Sequence, residues 1–302
     1  MNLLRITISA LLYAIFMISC GSDLPNNEKL LKEPSSIEEL GELLFNDSIL
    51  SRGNQVSCAS CHKPQFAFAD NVPLSFGVDS IKGGRNTPSS MNMSARNFYF
   101  HDGRSETLED QAGGPMENPV EMDIPISFAV EKLNKHSQYR KFFIKLFGHK
   151  ADKESLTNAI AAFERTLETS NSAFDNYNSG KDTTQFSIAA QRGQQIFNVK
   201  GKCFDCHFGP DFTNDFFRNI GLFNGKDLND SGRFVVTRDP QDIGRFKTPG
   251  LRNIAMTAPY MHNGMFKTLK EVIDYYNEPD KIIANSFNRD TSMAKPLGLT
   301  EQ

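Results

Sequence analysis

Apolar residues return every three to four positions in several stretches of this chain, and each such stretch predicts a helix. Ile37, Leu40, Leu43 and Leu44 share one helical face behind Ser36, which with Glu39 has the spacing of a capping box. Gln185 to Phe197 repeats that form, and between the two Leu156, Ile160, Phe163 and Leu167 recur at helical spacing. From Asn171 to Thr184 the periodicity lapses into Ser, Asn, Gly and Asp, which predicts a linker. A later helix beginning near Thr268 carries Val272, Ile273, Tyr275 and Tyr276. No long segment alternates apolar and polar residues as a strand would, so the expected fold is mainly α with much irregular chain.

Ahead of the first helix, Ile6 to Ile18 is apolar, too short to span a bilayer, and is followed by Ser19-Cys20-Gly21. This predicts a signal peptide over residues 1–19, a lipidated Cys20 and a polar tether over 20–36. A soluble body would then hang from a bacterial membrane on its periplasmic side, attached by lipid anchor only. An ordinary signal peptide with an incidental cysteine is the plainer alternative. The net charge of −3, with no basic stripe, argues against a nucleic-acid partner. Phe is abundant at 25 residues and Trp is absent, so apolar cofactor faces would be packed by Phe, Met and Leu.

Chemistry enters with two copies of Cys-x-x-Cys-His, Cys58-Ala59-Ser60-Cys61-His62 and Cys203-Phe204-Asp205-Cys206-His207. Each pair of thiols can add across the vinyl groups of a haem while the next histidine ligates the iron. Zinc would need two further Cys or His at knuckle spacing, and a thiol redox pair would be expected near a βαβ pattern; neither is present. Two covalently bound haem c groups are therefore expected, in two domains: residues 37–170, then the linker 171–184, then 185–302. The repeat extends past the motifs. Thr87-Pro88, His101-x-Gly103 and Thr107-Leu108 recur 161 residues later as Thr248-Pro249, His262-x-Gly264 and Thr268-Leu269.

Comparing the repeats separates the two irons. Tyr275 and Tyr276 could present a phenol toward the second haem, whereas the residue 161 positions before Tyr276 is Pro115, which has no donor for iron. The first haem is thus the candidate for an open coordination position, and an open iron binds a small oxidant whereas a closed one shuttles electrons. The alternative for the second iron is that Tyr276 merely packs and Met256, Met261 or Met265 is the ligand.

In order along the chain, Ser57 to His62, Arg85-Asn86-Thr87-Pro88, Phe100-His101-Asp102-Gly103-Arg104, Gly114-Pro115 with Glu121-Met122, Thr248 to Asn253 and Ala258 to Gly264 resemble the bacterial di-haem cytochrome c peroxidases, including their MauG-like branch. The resemblance runs from about Leu40 to Thr300. It implies two c-type cytochrome domains packed with haems facing a shared interface, peroxide reduction at the first haem, and electron entry through the second.

The resemblance also implies residue roles. Glu121 would be the general acid and base that moves a proton between the peroxide oxygens, and Gln111 would line the pocket. A calcium ion would lie between the domains, held by the side chain of Asn86 and the carbonyls of Thr257 and Pro259. Three departures stand out. Val78 replaces the histidine that caps the first iron in peroxidases needing reductive activation, Tyr276 replaces the methionine on the second iron, and His101 replaces a tryptophan between the haems. For His101 and His262 a hydrogen bond to backbone or to a haem carboxylate is the expected use.

The expected activity is reduction of hydrogen peroxide to water, with electrons from a small donor protein, a c-type cytochrome or cupredoxin. Two alternatives share much of this reading: a MauG-like oxidase that uses peroxide to modify a partner protein, and a non-catalytic carrier with both irons capped. Family members often pair, and the residues leave a homodimer open. The end of the chain, Leu299-Thr300-Glu301-Gln302, resembles the opening of a terminal helix and then stops. Either the sequence is a fragment or the second domain lacks that support.

Overall fold

The computed structural model describes residues 30–301, and the chain from Glu33 onward forms one compact unit. The leader, Cys20 and most of the tether lie outside the described residues. The end of the expected tether is pinned rather than loose, because Lys145 donates to Glu33 Oε1 at 2.6 Å and to the Pro34 carbonyl. Among the described residues no helix is long and apolar enough to cross a membrane.

Helix α1 (Ile37–Asn46) starts at Ser36, whose hydroxyl accepts from Glu39 N–H. The Glu39 carboxylate in turn accepts from Ser35 N–H at 2.8 Å. Leu40, Gly41, Leu44 and Phe45 form the buried face. That face packs on α6 (Lys153–Thr166), capped at Asp152 and burying Leu156, Ala159, Ile160 and Phe163. Gly41 makes the approach possible, since a β-carbon there would lie 1.9 Å from the Ala159 carbonyl oxygen. Between these helices run the single turn α2 (Cys58–Cys61), then α3 (Leu108–Glu117), α4 (Ile126–Lys135) and α5 (Ser137–Phe147).

The expected linker is not all irregular. It contains α7 (Ala173–Asn178), nucleated by a capping box in which Ser172 and Asp175 bond each other's backbone N–H. Helix α8 (Ile188–Asn198) is the counterpart of α1 in the second half, yet no residue of it is buried. The short α9 (Phe234–Thr237), α10 (Leu269–Asn277) and α11 (Pro279–Ile282) complete the helices, and Thr268 caps α10 as Thr107 caps α3. The only named strands among the described residues are β1 (Phe217–Arg218) and β2 (Phe246–Lys247), an antiparallel pair.

The 161-residue repeat has a structural counterpart. Tyr99 and Ser105 form an isolated antiparallel bridge, and so do Tyr260 and Phe266, their equivalents. Across the seam between the halves, Asn86 N–H donates to the His262 carbonyl at 2.7 Å, and Lys247 N–H donates to the His101 carbonyl at 2.8 Å. These bonds exchange under the repeat, since 247 corresponds to 86 and 262 to 101. Arg85 reinforces the seam, donating to Asp102 at 2.6 Å and to Asp230 at 2.7 Å.

Candidate active site and its second cofactor pocket

Both Cys-x-x-Cys-His segments fold as a single tight turn. In each the histidine N–H donates to the carbonyl of the first cysteine at 2.8 Å, which carries the imidazole back over the thiols. All four thiols are free and half-buried. Burial pushes the Cys58 thiol up to about 12, with the Glu164 carboxylate adding to the shift.

The two histidines are oriented alike. His62 Nδ1 lies 2.9 Å from the Phe68 carbonyl, and His207 Nδ1 lies 2.9 Å from the Phe212 carbonyl. Each Nδ1 therefore carries the proton as donor, leaving Nε2 as the lone-pair nitrogen for a metal. Burial holds both imidazoles below the usual histidine range, which favours that neutral form. His62 has a second neighbour at Nδ1, the Ser90 hydroxyl at 2.9 Å. Behind the His62 ring, Phe45 of α1 packs edge-on against Phe163 of α6. The donor sets fit haem c at both sites.

A cavity of about 840 Å³ opens around the first motif. Cys58, Cys61 and His62 line it together with Gln111 and Pro115 of α3, one helical turn apart, and with Glu121. The Glu121 backbone is fixed from below, since its carbonyl accepts from Val78 N–H at 2.8 Å and Val78 is fully buried. Gly77 is required at this contact because a β-carbon would lie 2.2 Å from the Val120 carbonyl oxygen. The Glu121 side chain is held by Asn118, whose amide donates to Oε1 at 2.6 Å. Burial raises the Glu121 pKa, while the Asn118 bond and the charge of Arg104 oppose that rise.

Of the ionisable groups in this cavity that the sequence reading missed, Glu164 and Lys247 bear most on its chemistry. Glu164 of α6 lines it, and burial pushes its carboxyl up to about 8. The signal was present: Glu164 lies one turn after Ile160 on the apolar face of its helix. Lys247 lines the same cavity from the second half of the chain, and no periodicity pointed to it. His101 also lines it, donating from Nε2 to the Asn86 carbonyl at 2.9 Å, so its ring is spent on backbone. His262 stacks on Phe246 with ring centres 3.8 Å apart.

At the second motif the adjacent tyrosines of α10 differ. Tyr275 is fully buried and its hydroxyl donates to the Ile220 carbonyl at 2.5 Å. Tyr276 has no hydrogen bond among the described residues; burial raises its phenol above the usual range, with Tyr275, Cys206 and Cys203 contributing, which puts it within electrostatic reach of the thiols. Of the alternative ligands, Met256 and Met265 are exposed and Met261 packs into the core around Tyr275. Arg218 Nε, buried without a partner, belongs to a side chain beside Cys206. A second groove, of about 670 Å³, lies along α7 and α8 between Phe174, Phe197, Phe204 and Phe212; neither His207 nor Tyr276 lines it.

The expected calcium ligands are free to act as such. Asn86 donates its amide nitrogen to the Val72 and Pro73 carbonyls at 3.1 and 3.2 Å, which leaves Oδ1 as the available oxygen. The Thr257 and Pro259 carbonyls accept no backbone hydrogen bond among the described residues.

Comparison with known proteins agrees with this geometry. The family model described as di-haem cytochrome c peroxidase matches residues 35–183. The methylamine utilization protein MauG of Methylophilus methylotrophus is 34% identical over 295 residues, covering 93% of this chain and 87% of that protein. A cytochrome c551 peroxidase of Nitrosomonas europaea is 33% identical over 276 residues, covering 90% of this chain and 82% of that protein. Among solved structures, a MauG-like protein associated with microbial copper homeostasis superposes with a TM-score of 0.76 at 31% identity, covering 91% of this chain and 87% of that one.

Proposed function

Because the chain belongs to the di-haem cytochrome c peroxidase family, we propose that it reduces hydrogen peroxide in the cavity that Glu121 and Gln111 line, using electrons that enter through the second cofactor site. It is an oxidoreductase acting on peroxide, and two haem c groups are its cofactors. Haem on Cys58, Cys61 and His62 supplies the redox centre from which peroxide takes electrons. The side chains around it handle protons and access.

Glu121 takes a proton from one peroxide oxygen and returns it to the other, so that the oxygen–oxygen bond breaks with water as the leaving group. Two electrons and two protons in all convert one peroxide into two waters. Asn118 keeps the Glu121 carboxylate aimed, and Gln111 offers an amide to the bound peroxide. Pro115 and Val78 present no ligand atom, which keeps the site accessible without prior reduction. The observation that carries this reading is the shared cavity of His62 and a half-buried, tethered Glu121.

Tyr276 is proposed to be the residue that would ligate the second haem's iron, supported by a half-buried phenol with no hydrogen-bond partner among the described residues. Calcium is proposed on Asn86 Oδ1 and the Thr257 and Pro259 carbonyls, an all-oxygen set suited to a hard cation. The donor is proposed to be a small c-type cytochrome or cupredoxin, and the protein a periplasmic lipoprotein anchored at Cys20, with a homodimer as its candidate assembly. A peroxide-dependent oxidase of a partner protein is the second reading, favoured by Tyr276 and by the likeness to MauG.

The ferric spectrum of the purified holoprotein tests the proposal. One high-spin and one low-spin haem, with peroxide turnover on a reduced small cytochrome, is the expected result. Two low-spin haems unmoved by cyanide would make the protein a carrier, and radical formation on a bound protein without cytochrome turnover would make it the oxidase. Glu121→Gln should lower kcat by about 10² to 10⁴-fold while both haems remain attached.

A further inference from the structure

Lys247 is a buried cation whose partnership is incomplete. It sits on β2, its side chain is 10% exposed, and its one anionic partner among the described residues is Asp215, 3.4 Å from Nζ to Oδ1. That oxygen is shared, since Arg96, itself 7% exposed, lies 3.7 Å away. The other oxygen of Asp215 accepts from Asn97 N–H at 3.2 Å. Arg96 also pairs with Asp211, which Arg252 engages at 2.9 Å. Two cations thus converge on one carboxylate that is already engaged by backbone. Burial, with the neighbouring Arg96, holds the Lys247 ammonium below its ordinary range against the opposing charge of Asp215.

Both cations line the cavity shared with Cys58, Cys61 and His62. A haem attached there would bring two carboxylates of its own, a further counter-charge for Lys247 beside the Asp215 oxygen it shares with Arg96. We propose that Lys247, reaching across from the second half of the chain with Arg96 beside it, binds a carboxylate of the first haem and so sets that haem's potential. The proposal rests on haem occupying the first cavity and not on the peroxidase reaction. A cation at this place favours the reduced, less positive state of the iron and raises its potential; removing it lowers the potential.

The test is a spectroelectrochemical titration of holoprotein carrying Lys247→Met or Lys247→Arg, after a haemochrome assay has verified two haems per chain. The expected result is a lower potential for the first haem in Lys247→Met, recovery in Lys247→Arg, and no change at the second haem. An unchanged first potential in Lys247→Met overturns the proposal, and so does an equal shift at both haems. Should Lys247→Met fail to accumulate, the resonance Raman band of the haem carboxylates decides. It should differ between the unaltered protein and Lys247→Arg at the first haem alone, and identical bands overturn the proposal. No peroxide is present in these measurements, so a failure of the peroxidase reading leaves their outcome interpretable.

Discussion

Tyr275 and Tyr276 are neighbours on one helix, and the fate of each hydroxyl separates their uses. Tyr275 spends its proton on the Ile220 carbonyl, so Tyr275→Phe should cost about 0.5–1.5 kcal/mol in a denaturant titration and leave the haem spectra alone. Tyr276→Met should do the reverse, raising the second haem's potential with little loss of stability, as thioether replaces phenol. At Glu121 the prediction is a pH profile. The carboxylate form must take the peroxide proton, and burial raises its pKa, so the acid limb of kcat/KM should stand above the ordinary glutamate value of about 4.3. Asn118→Ala removes a bond that holds the pKa down, and the limb should move to still higher pH. The cysteines and histidines were legible because their spacing is their chemistry. Lys247 was not, because its partners are far away in sequence and its own segment has no periodic pattern.

Helices α1 and α8 show how packing decides what a sequence pattern delivers. Both carry a mid-helix glycine and a phenylalanine four residues later. Gly41 is pressed on α6, whereas a β-carbon at Gly193 would meet nothing within 4 Å. Gly41→Ala should therefore lower the melting temperature, with overpacking costing about 1–3 kcal/mol. Gly193→Ala should raise it, by up to about 1 kcal/mol from helix propensity alone. Equal effects in the two variants would contradict the difference in packing. The helices with an apolar stripe, α1 and α6, were readable in advance; α7 was not, since a local Ser172–Asp175 cap rather than an apolar face establishes it.

At the scale of the molecule, the halves meet through charged and polar groups. Arg85 with Asp230, Arg96 with Asp211 and Arg252 with Asp175 all join distant segments. The guanidinium of Arg252 holds the Asp175 pKa well below its ordinary value, and Arg85 lowers that of Asp230 against the effect of burial. For a depressed carboxylate the stabilisation is present above the unfolded value of about 3.9 and is lost as pH falls below it toward the folded value. Urea unfolding between pH 6 and pH 3 should show that loss, and Asp175→Asn should flatten it. The repeat of 161 residues was visible in sequence, but which groups it would bring together was not, because the seam is made by loops without periodicity. The paired bonds from residue 86 to 262 and from 247 to 101 have the reciprocity of a two-fold dimer, in which each copy gives its twin what it receives. Within one chain the same exchange ties two copies of a repeat to each other. Because those two bonds run from main chain to main chain, they survive any substitution at the donors except proline. Pro115 and Tyr276, or Asn86 and Lys247, can then differ between the halves without loosening them.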